Sequence, residues 1–261
     1  MTLFNVALLA YVVAMGTALL YGGFREKALW AATVLSSAAG FAFQTAAEAR
    51  LWLASGVPPA TNLHELFQLT AWAVMALYFL LYPLHRSRIL TFFLMPLVTL
   101  GYVLGAAIPD TPVEVKPFFH TAWFTVHIFL LVFGIAFFFV SFLYATIFIM
   151  QDHSLRRRRV PSPLPLPSLE EAERWSTRLL LAGYPLFTLG ILSSILYGIL
   201  HGERTEWRPG VLEGASVVAW LVLGFAIYGW ISARVHPRRR SYLVVAGAAF
   251  SVLILLGILW H

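Results

Sequence analysis

The chain has 261 residues, of which 60% are hydrophobic and only 11% charged. A soluble domain is nearer about half apolar and about a quarter charged, so composition excludes a soluble globular protein and leaves an integral membrane one. The absence of cysteine excludes disulfides, thiolate metal sites and covalent thiol chemistry, and the net charge of +6 reads as membrane topology, with no nucleic-acid partner implied.

Apolar runs of about 20 residues, the length that crosses a hydrocarbon layer, recur along nearly the whole chain. They predict eight spans, at 3–22, 28–53, 63–84, 89–108, 121–149, 176–200, 211–233 and 241–260. The fold class is therefore all-α, a polytopic bundle of about eight transmembrane helices forming one domain over residues 1–261. The first run is too long for a signal h-region and lacks a basic n-region and a small-residue cleavage site, so it reads as a retained helix.

Charge alternates between successive loops. Arg25 and Lys27 lie in the first, Arg86 and Arg88 in the third, Arg156 to Arg159 in the fifth, and Arg234 with Arg238 to Arg240 in the seventh. The even loops carry Arg50, Lys116, Arg204 and Arg208 against Glu48, Glu65, Asp110, Glu114, Glu203, Glu206 and Glu213. The positive-inside rule then puts the odd loops in the cytoplasm and both termini outside a multi-pass protein of the cell (cytoplasmic or inner) membrane, in contact with its lipid. Helix capping by arginine does not explain the alternation.

The second span is long, and its outer half, QTAAEARLWLASG, is amphipathic, as suits a stretch lying along the outer interface. GVPPATN breaks it with two prolines. Asn62 with Glu65 three residues later has the form of a capping box opening the third helix, and that cap competes with any functional role for the pair. The fourth span contains Pro96, Gly101 and Gly105, which membrane helices tolerate when neighbours satisfy the freed carbonyls.

In the fifth span His120, Trp123 and His127 fall at i, i+3 and i+7, on one helical face. His127 lies about one turn below the outer interface. An intramembrane histidine is a functional candidate by default, the structural alternative being a hydrogen bond to a neighbouring helix. His120 and Trp123 also suit an interfacial belt. The cytoplasmic loop that follows, 151–175, is basic and Pro-rich: its arginines face the anionic inner leaflet and its prolines make an extended tether. Ser168 then caps a helix whose first turn holds Glu170, Glu171 and Glu173. No chemistry is assigned to this loop. His85, His153 and His236 read as helix-end residues on the cytoplasmic side.

At RWSTRLLLAGYPLFTLGILSSILYG the chain resembles the cytochrome c assembly family of membrane proteins, the CcsA/ResC haem-handling proteins and their HemX- and YpjD-like relatives. The likeness lies in a basic-to-helix step, an aromatic–Pro–Leu step and a T-hydrophobic-G-I-hydrophobic-S segment before an outer loop. TNLHELFQLTAW is similar to the family's N-L-Y-E…W segment, keeping Asn62, Leu63, Glu65 and Trp72 with His64 in place of Tyr. WFTVHIFLL is similar to its W…H-V segment, which makes His127 the outer His ahead of the Trp-rich loop. LLGILWH resembles the segment with the second outer His, here His261. The resemblance covers residues 61–261. It departs from the family at the loop that reads roughly W-x-W-D-P-K-E…W: Trp207, Glu213 and Trp220 match, but Pro209 and Gly210 replace the second Trp and the Asp. The later intramembrane His is absent, and Tyr228 and Trp230 occupy that region.

The resemblance implies a site for non-covalently held haem b at the outer face, where topology gathers His127, the Trp207 loop and His261. Two neutral imidazoles can ligate haem iron from opposite sides, with His201 as the alternative second ligand to His261. His261 stands at the terminus, where fraying is the competing reading. Trp207, with Trp123 and Trp220, offers flat apolar surface to a porphyrin, and Arg204 and Arg208 suit its propionates; Glu213 completes the matched positions. An interfacial anchor and a solvated loop face are the plain readings of Trp207 and of the two arginines.

Two functions follow. The first is a haem-handling factor of c-type cytochrome biogenesis that holds or delivers haem for attachment to apocytochrome c, beside a CcsB/ResB-like membrane partner. Its enzymatic part is at most that of a non-hydrolytic subunit of a haem-attachment complex, because the thiols belong to the substrate. The second is a HemX-like membrane regulator or scaffold linked to haem biosynthesis, without assembly activity. A small-molecule transporter is weaker, since helices 3, 5 and 7 lack paired intramembrane charges and no inverted repeat is visible.

Overall fold

A computed structural model describes residues 2–85, 88–110, 117–157, 166–200 and 211–257. Among the described residues there is no strand, and every predicted span is a helix: α1 Leu3–Phe24, α2 Lys27–Ser55, α3 Leu63–His85, α4 Arg88–Ala107, α5 Ala122–Arg156, α6 Leu169–Leu200, α7 Val211–Ile231 and α8 Pro237–Gly257. Six of them, α1 and α3 to α7, are long and apolar enough to cross a membrane, which makes this a multi-pass membrane protein. α2 falls short because polar residues punctuate it, among them Thr33, Ser37, Gln44 and Glu48, all buried. Glu48, counted above with the second loop, sits inside this helix, which runs unbroken to Gly56; there a φ of 72° and an N–H to Trp52 O bond of 2.8 Å end it.

Two helices exceed their predicted spans by about two turns. α5 continues past the apolar run to Arg156, whose Nε donates to both carboxylate oxygens of Asp152 at 3.0 Å. α6 starts at Leu169, where Ser168 Oγ accepts the Glu171 N–H at 3.1 Å and Glu170 and Glu171 lie at the positive helix end, as expected from the sequence. These extensions enter the 151–175 stretch from both sides; residues 158–165 lie outside the described residues. His120 is a correction. It belongs to a 3-10 turn, Pro117–His120, and α5 begins only after Thr121, whose Oγ1 accepts the Phe124 N–H at 3.1 Å. That cap removes His120 from the helical face carrying Trp123 and His127.

The chain divides into two units, residues 1–120 and 121–261. In the first, α1 packs on α2 and α4, and α3 on α2 and α4, closing a four-helix ring. Ala7, Tyr11, Ala14 and Ala18 repeat every three or four residues and form the buried seam of α1. Gly40 on α2 admits the Tyr11 ring, since a Cβ there would lie 2.8 Å from Cδ1 and Cε1. The cap of α3 forms much as its sequence foretells: Asn62 Oδ1 accepts the Glu65 N–H at 2.9 Å, and Glu65 Oε2 accepts Thr61 N–H and O–H at 2.7 Å each. Glu65 thus reaches back to Thr61, one residue before the usual partner. Asn62 Nδ2 ties this start to Asp110 Oδ1 at 3.1 Å. At the other end of the ring the Arg88 guanidinium covers Tyr21 and Trp30, 5.6 and 5.4 Å from their ring centroids.

In the second unit α5 and α6 share the largest interface, and α7 and α8 pack against them. Phe138 and Phe187 meet edge to face at 5.3 Å in a core with Leu180, Leu223 and Val244. Charged pairs gather at one end, where Asp152 meets Arg238 at 3.5 Å and Glu173 meets Arg240. Glycine sets the α5–α6 spacing: a Cβ on Gly183 would sit 2.6 Å from Phe137 Cβ and 3.1 Å from Gly134 O. Gly183→Val therefore lowers stability to thermal unfolding in detergent by roughly 1–3 kcal/mol. Gly16→Ala, with nothing within 4 Å of the added carbon, does not lower it.

Candidate functional site

The first turns of α5 face the last turns of α6, and that face carries Trp123 and His127, one helical turn apart. Trp123 Nε1 donates to Ser193 O at 2.9 Å, and its ring lies 6.1 Å from that of Tyr197. His127 Nδ1 lies 2.9 Å from Gly190 O and 2.9 Å from Ser193 Oγ, and Ser193 Oγ itself donates to Gly190 O at 2.7 Å. Gly190 permits this approach, because a Cβ there would lie 2.5 Å from Leu131 Cδ2.

The chemistry of the histidine follows from its partners. A carbonyl oxygen only accepts, so Nδ1 carries the proton of the neutral ring and Nε2 holds the lone pair. This tie at one nitrogen is the arrangement that orients a metal-binding imidazole and fixes its tautomer. The hydrogen bond to a neighbouring helix and the ligand role, which competed in the sequence, use different nitrogens. Nε2 takes no hydrogen bond among the described residues.

Beside the histidine an open apolar cleft of about 480 Å³ runs between α5 and α6, lined by Ala122, Trp123, Val126, Leu130, Leu189, Leu192, Ser193 and Leu196. That volume is within the range of cofactor and ligand sites. Ser193 joins the two features, lining the cleft and bonding His127. Val126, Leu189 and Leu192 are also exposed in the way lipid-facing residues are. Among the described residues no three His, Asp or Glu side chains converge as a metal cage. Haem iron needs only axial ligands, and His127 fits that donor set with an apolar surface beside it.

Trp220 is placed elsewhere. Its ring stacks on Tyr184 at 5.9 Å and 15°, and its Nε1 donates to Thr188 Oγ1 at 2.9 Å, so it joins α7 to α6 and does not line the cleft. The backbone of Glu213 lies in the first turn of α7. Trp207, Arg204, Arg208, His201 and His261 lie outside the described residues. Of the sequence-predicted site residues, the structure thus brings together Trp123 and His127. Sequence reasoning did not assign Gly190, Ser193 or Thr188 to the site. Their signal was nevertheless present, because they are the T, G and S of the T-hydrophobic-G-I-hydrophobic-S segment, and each bonds a histidine or an indole.

A family model described as Cytochrome C assembly protein matches residues 60–261. Protein HemX of Brevibacillus brevis is 28% identical over 204 residues, covering 77% of this chain and 72% of that protein. Cytochrome c biogenesis protein CcsA of Fagopyrum esculentum subsp. ancestrale is 28% identical over 86 residues, 33% of this chain and 26% of that protein, so this chain spans about a quarter of it.

If Trp220 holds α7 through Thr188, Trp220→Phe keeps the stack, loses the N–H bond and costs about 1 kcal/mol. A double-mutant cycle with Thr188→Val, read by thermal melting, then returns a coupling energy of at least about 0.5 kcal/mol; additive losses would deny the bond.

Proposed function

We infer the function from one premise: this chain belongs to the cytochrome c assembly protein family. It is a haem-handling membrane protein of c-type cytochrome biogenesis that holds or delivers haem at the outer membrane face for attachment to apocytochrome c. The observation that carries this reading is the His127 ring, tied at Nδ1 to Gly190 O and Ser193 Oγ, with its Nε2 lone pair unused among the described residues, beside an apolar cleft. When bound, haem b brings the iron that an imidazole ligates and the vinyl groups that a c-type cytochrome's thiols add to. The chain's own part is to position: His127 would hold the iron through Nε2, Trp123 and the leucines of α5 and α6 would offer apolar surface, and Ser193 holds the imidazole in register. His261, or His201 in its place, would be the second histidine to hold the iron, and Arg204 and Arg208 on either side of Trp207 would hold the propionates, with Glu213 and Trp220 further along the chain. A CcsB/ResB-like membrane protein and apocytochrome c are the partners. Both termini lie outside the cytoplasmic or inner membrane.

A second reading, a HemX-like regulator or scaffold, draws on the extent of the match to HemX and on Pro209 and Gly210 standing where the assembly loop has Trp and Asp.

Absorption spectra of the purified protein, oxidised and reduced, from cells supplied with haem precursor decide between them. A stoichiometric bis-His spectrum that His127→Ala converts to a weaker or mono-ligated form supports haem handling. A colourless protein that also refuses added haem sinks it in favour of the second reading. A reporter fused after His261 is expected on the outer side; cytoplasmic activity would invert the topology and remove the outer-face site.

A further inference from the structure

The first unit holds a second polar centre that the haem reading does not use. All four of its helices contribute: Tyr11 from α1, Gln44 and Glu48 from α2, Gln68 from α3 and Tyr102 from α4. Tyr11 and Gln44 are fully buried, Gln68 is 1% exposed and Glu48 6% exposed. The Tyr11 hydroxyl donates to Gln44 Oε1 at 2.8 Å, and Gln44 Nε2 donates to the main-chain oxygen of Gln68 at 2.8 Å. Gln68 Nε2 points to Tyr102 O at 3.5 Å, and the Tyr102 hydroxyl donates to Phe4 O at 3.2 Å. Gln44 is the hub, one helical turn from Glu48 along α2 and bonded across to α3.

The centre has acceptors in excess. Both carboxylate oxygens of Glu48 and Oε1 of Gln68 are buried, and among the described residues no donor reaches them in hydrogen-bonding geometry. The groups that face Glu48 are the Gln44 side-chain amide, one turn back on α2, the Tyr11 and Tyr102 phenols and a second carboxylate, Glu65. Glu65 is already occupied by the N–H and O–H of Thr61. A buried carboxylate without a donor is costly, and an ionisable residue so placed in a membrane protein marks a site whose partner should be sought. One proton supplies a single donor to three open acceptors. A hard cation can draw on oxygens of both side chains, and oxygen ligands carrying one free negative charge match a monovalent ion.

We propose that Glu48 and Gln68 form the core of an alkali-cation site inside the first unit, with Glu48 as its charged ligand and Gln68 Oε1 as a neutral one. Tyr11, Gln44 and Glu48 precede residue 60, where the family match begins, so the proposal does not rest on the haem reading.

The test uses the purified full-length protein in detergent, melted in sodium chloride and in choline chloride at equal ionic strength. Wild type is expected to gain melting temperature saturably with Na⁺ and not with choline. Glu48→Gln, an isosteric change, is expected to lose that response, and His127→Ala to keep it. Direct binding of radioactive sodium to wild type, displaced by unlabelled Na⁺ and not by choline, decides the matter should Glu48→Gln fail to fold. Superimposable wild-type melts in Na⁺, K⁺ and choline overturn the site, leaving Glu48 with a proton alone. So does an undiminished Na⁺ response in Glu48→Gln, or the absence of retained sodium.

Discussion

A polar side chain in a membrane-spanning bundle has no bulk water to turn to, so it bonds within its own helix or to a neighbour, and the neighbour it chooses sets helix register. Trp72 donates to Thr45, Tyr78 meets Thr91, Ser141 donates to Ser176 O, and Trp123 and Trp220 donate to Ser193 O and Thr188. Each is a short polar contact between two helices that otherwise meet mainly through apolar side chains. Apolar packing supplies attraction without direction. The hydroxyl and indole pairs supply the direction, and the order of the helices in each four-helix unit follows.

Those pairs form only where backbones come close, which makes glycine placement part of the same constraint. Gly134, Gly183 and Gly190 line the α5–α6 seam, each with a neighbour within 3.1 Å of where a Cβ would stand. Without that proximity the His127 imidazole could not reach Gly190 O, and its tautomer would be free. The candidate histidine is therefore oriented by the feature that packs the helices. Stability and ligand geometry are coupled at this seam, and a substitution there changes both.

Much of this was legible in the sequence, for identifiable reasons. Hydropathy located the helices because a span needs a fixed length of apolar chain, and the caps at Asn62 and Ser168 were readable because capping is local, decided within four residues. The polar extension of α5 was not, since helix continues wherever side-chain pairs such as Asp152–Arg156 support it. His120 was misplaced because Thr121, one residue on, is the better cap. His127 was found as a candidate, but not its partners: Gly190 and Ser193 lie more than 60 residues away, and only the packing of α6 on α5 brings them together. Glu48 was hidden for the opposite reason. Its surroundings, AAEARLW, look like an interfacial helix, and nothing local tells that the face bearing Gln44 and Glu48 turns inward.

The two polar centres differ in chemical kind. At His127 a donor is satisfied by two oxygens and a single nitrogen lone pair remains, a borderline donor suited to a transition metal whose other positions come from elsewhere. At Glu48 oxygen acceptors outnumber donors and no nitrogen lone pair is offered, which suits a hard ion and disfavours iron. Ligand type thus separates the two, so occupancy of one need not compete with the other. The separation also bears on the chain's history. The family match contains His127 and its partners but starts after Glu48, so the His127 centre lies wholly in shared sequence, whereas the oxygen centre borrows Gln68 and Tyr102 from it and adds Tyr11, Gln44 and Glu48 from the helices before it. A site assembled across that boundary cannot be inherited from the matched segment alone; it depends on α1 and α2 packing against α3 and α4 in this chain.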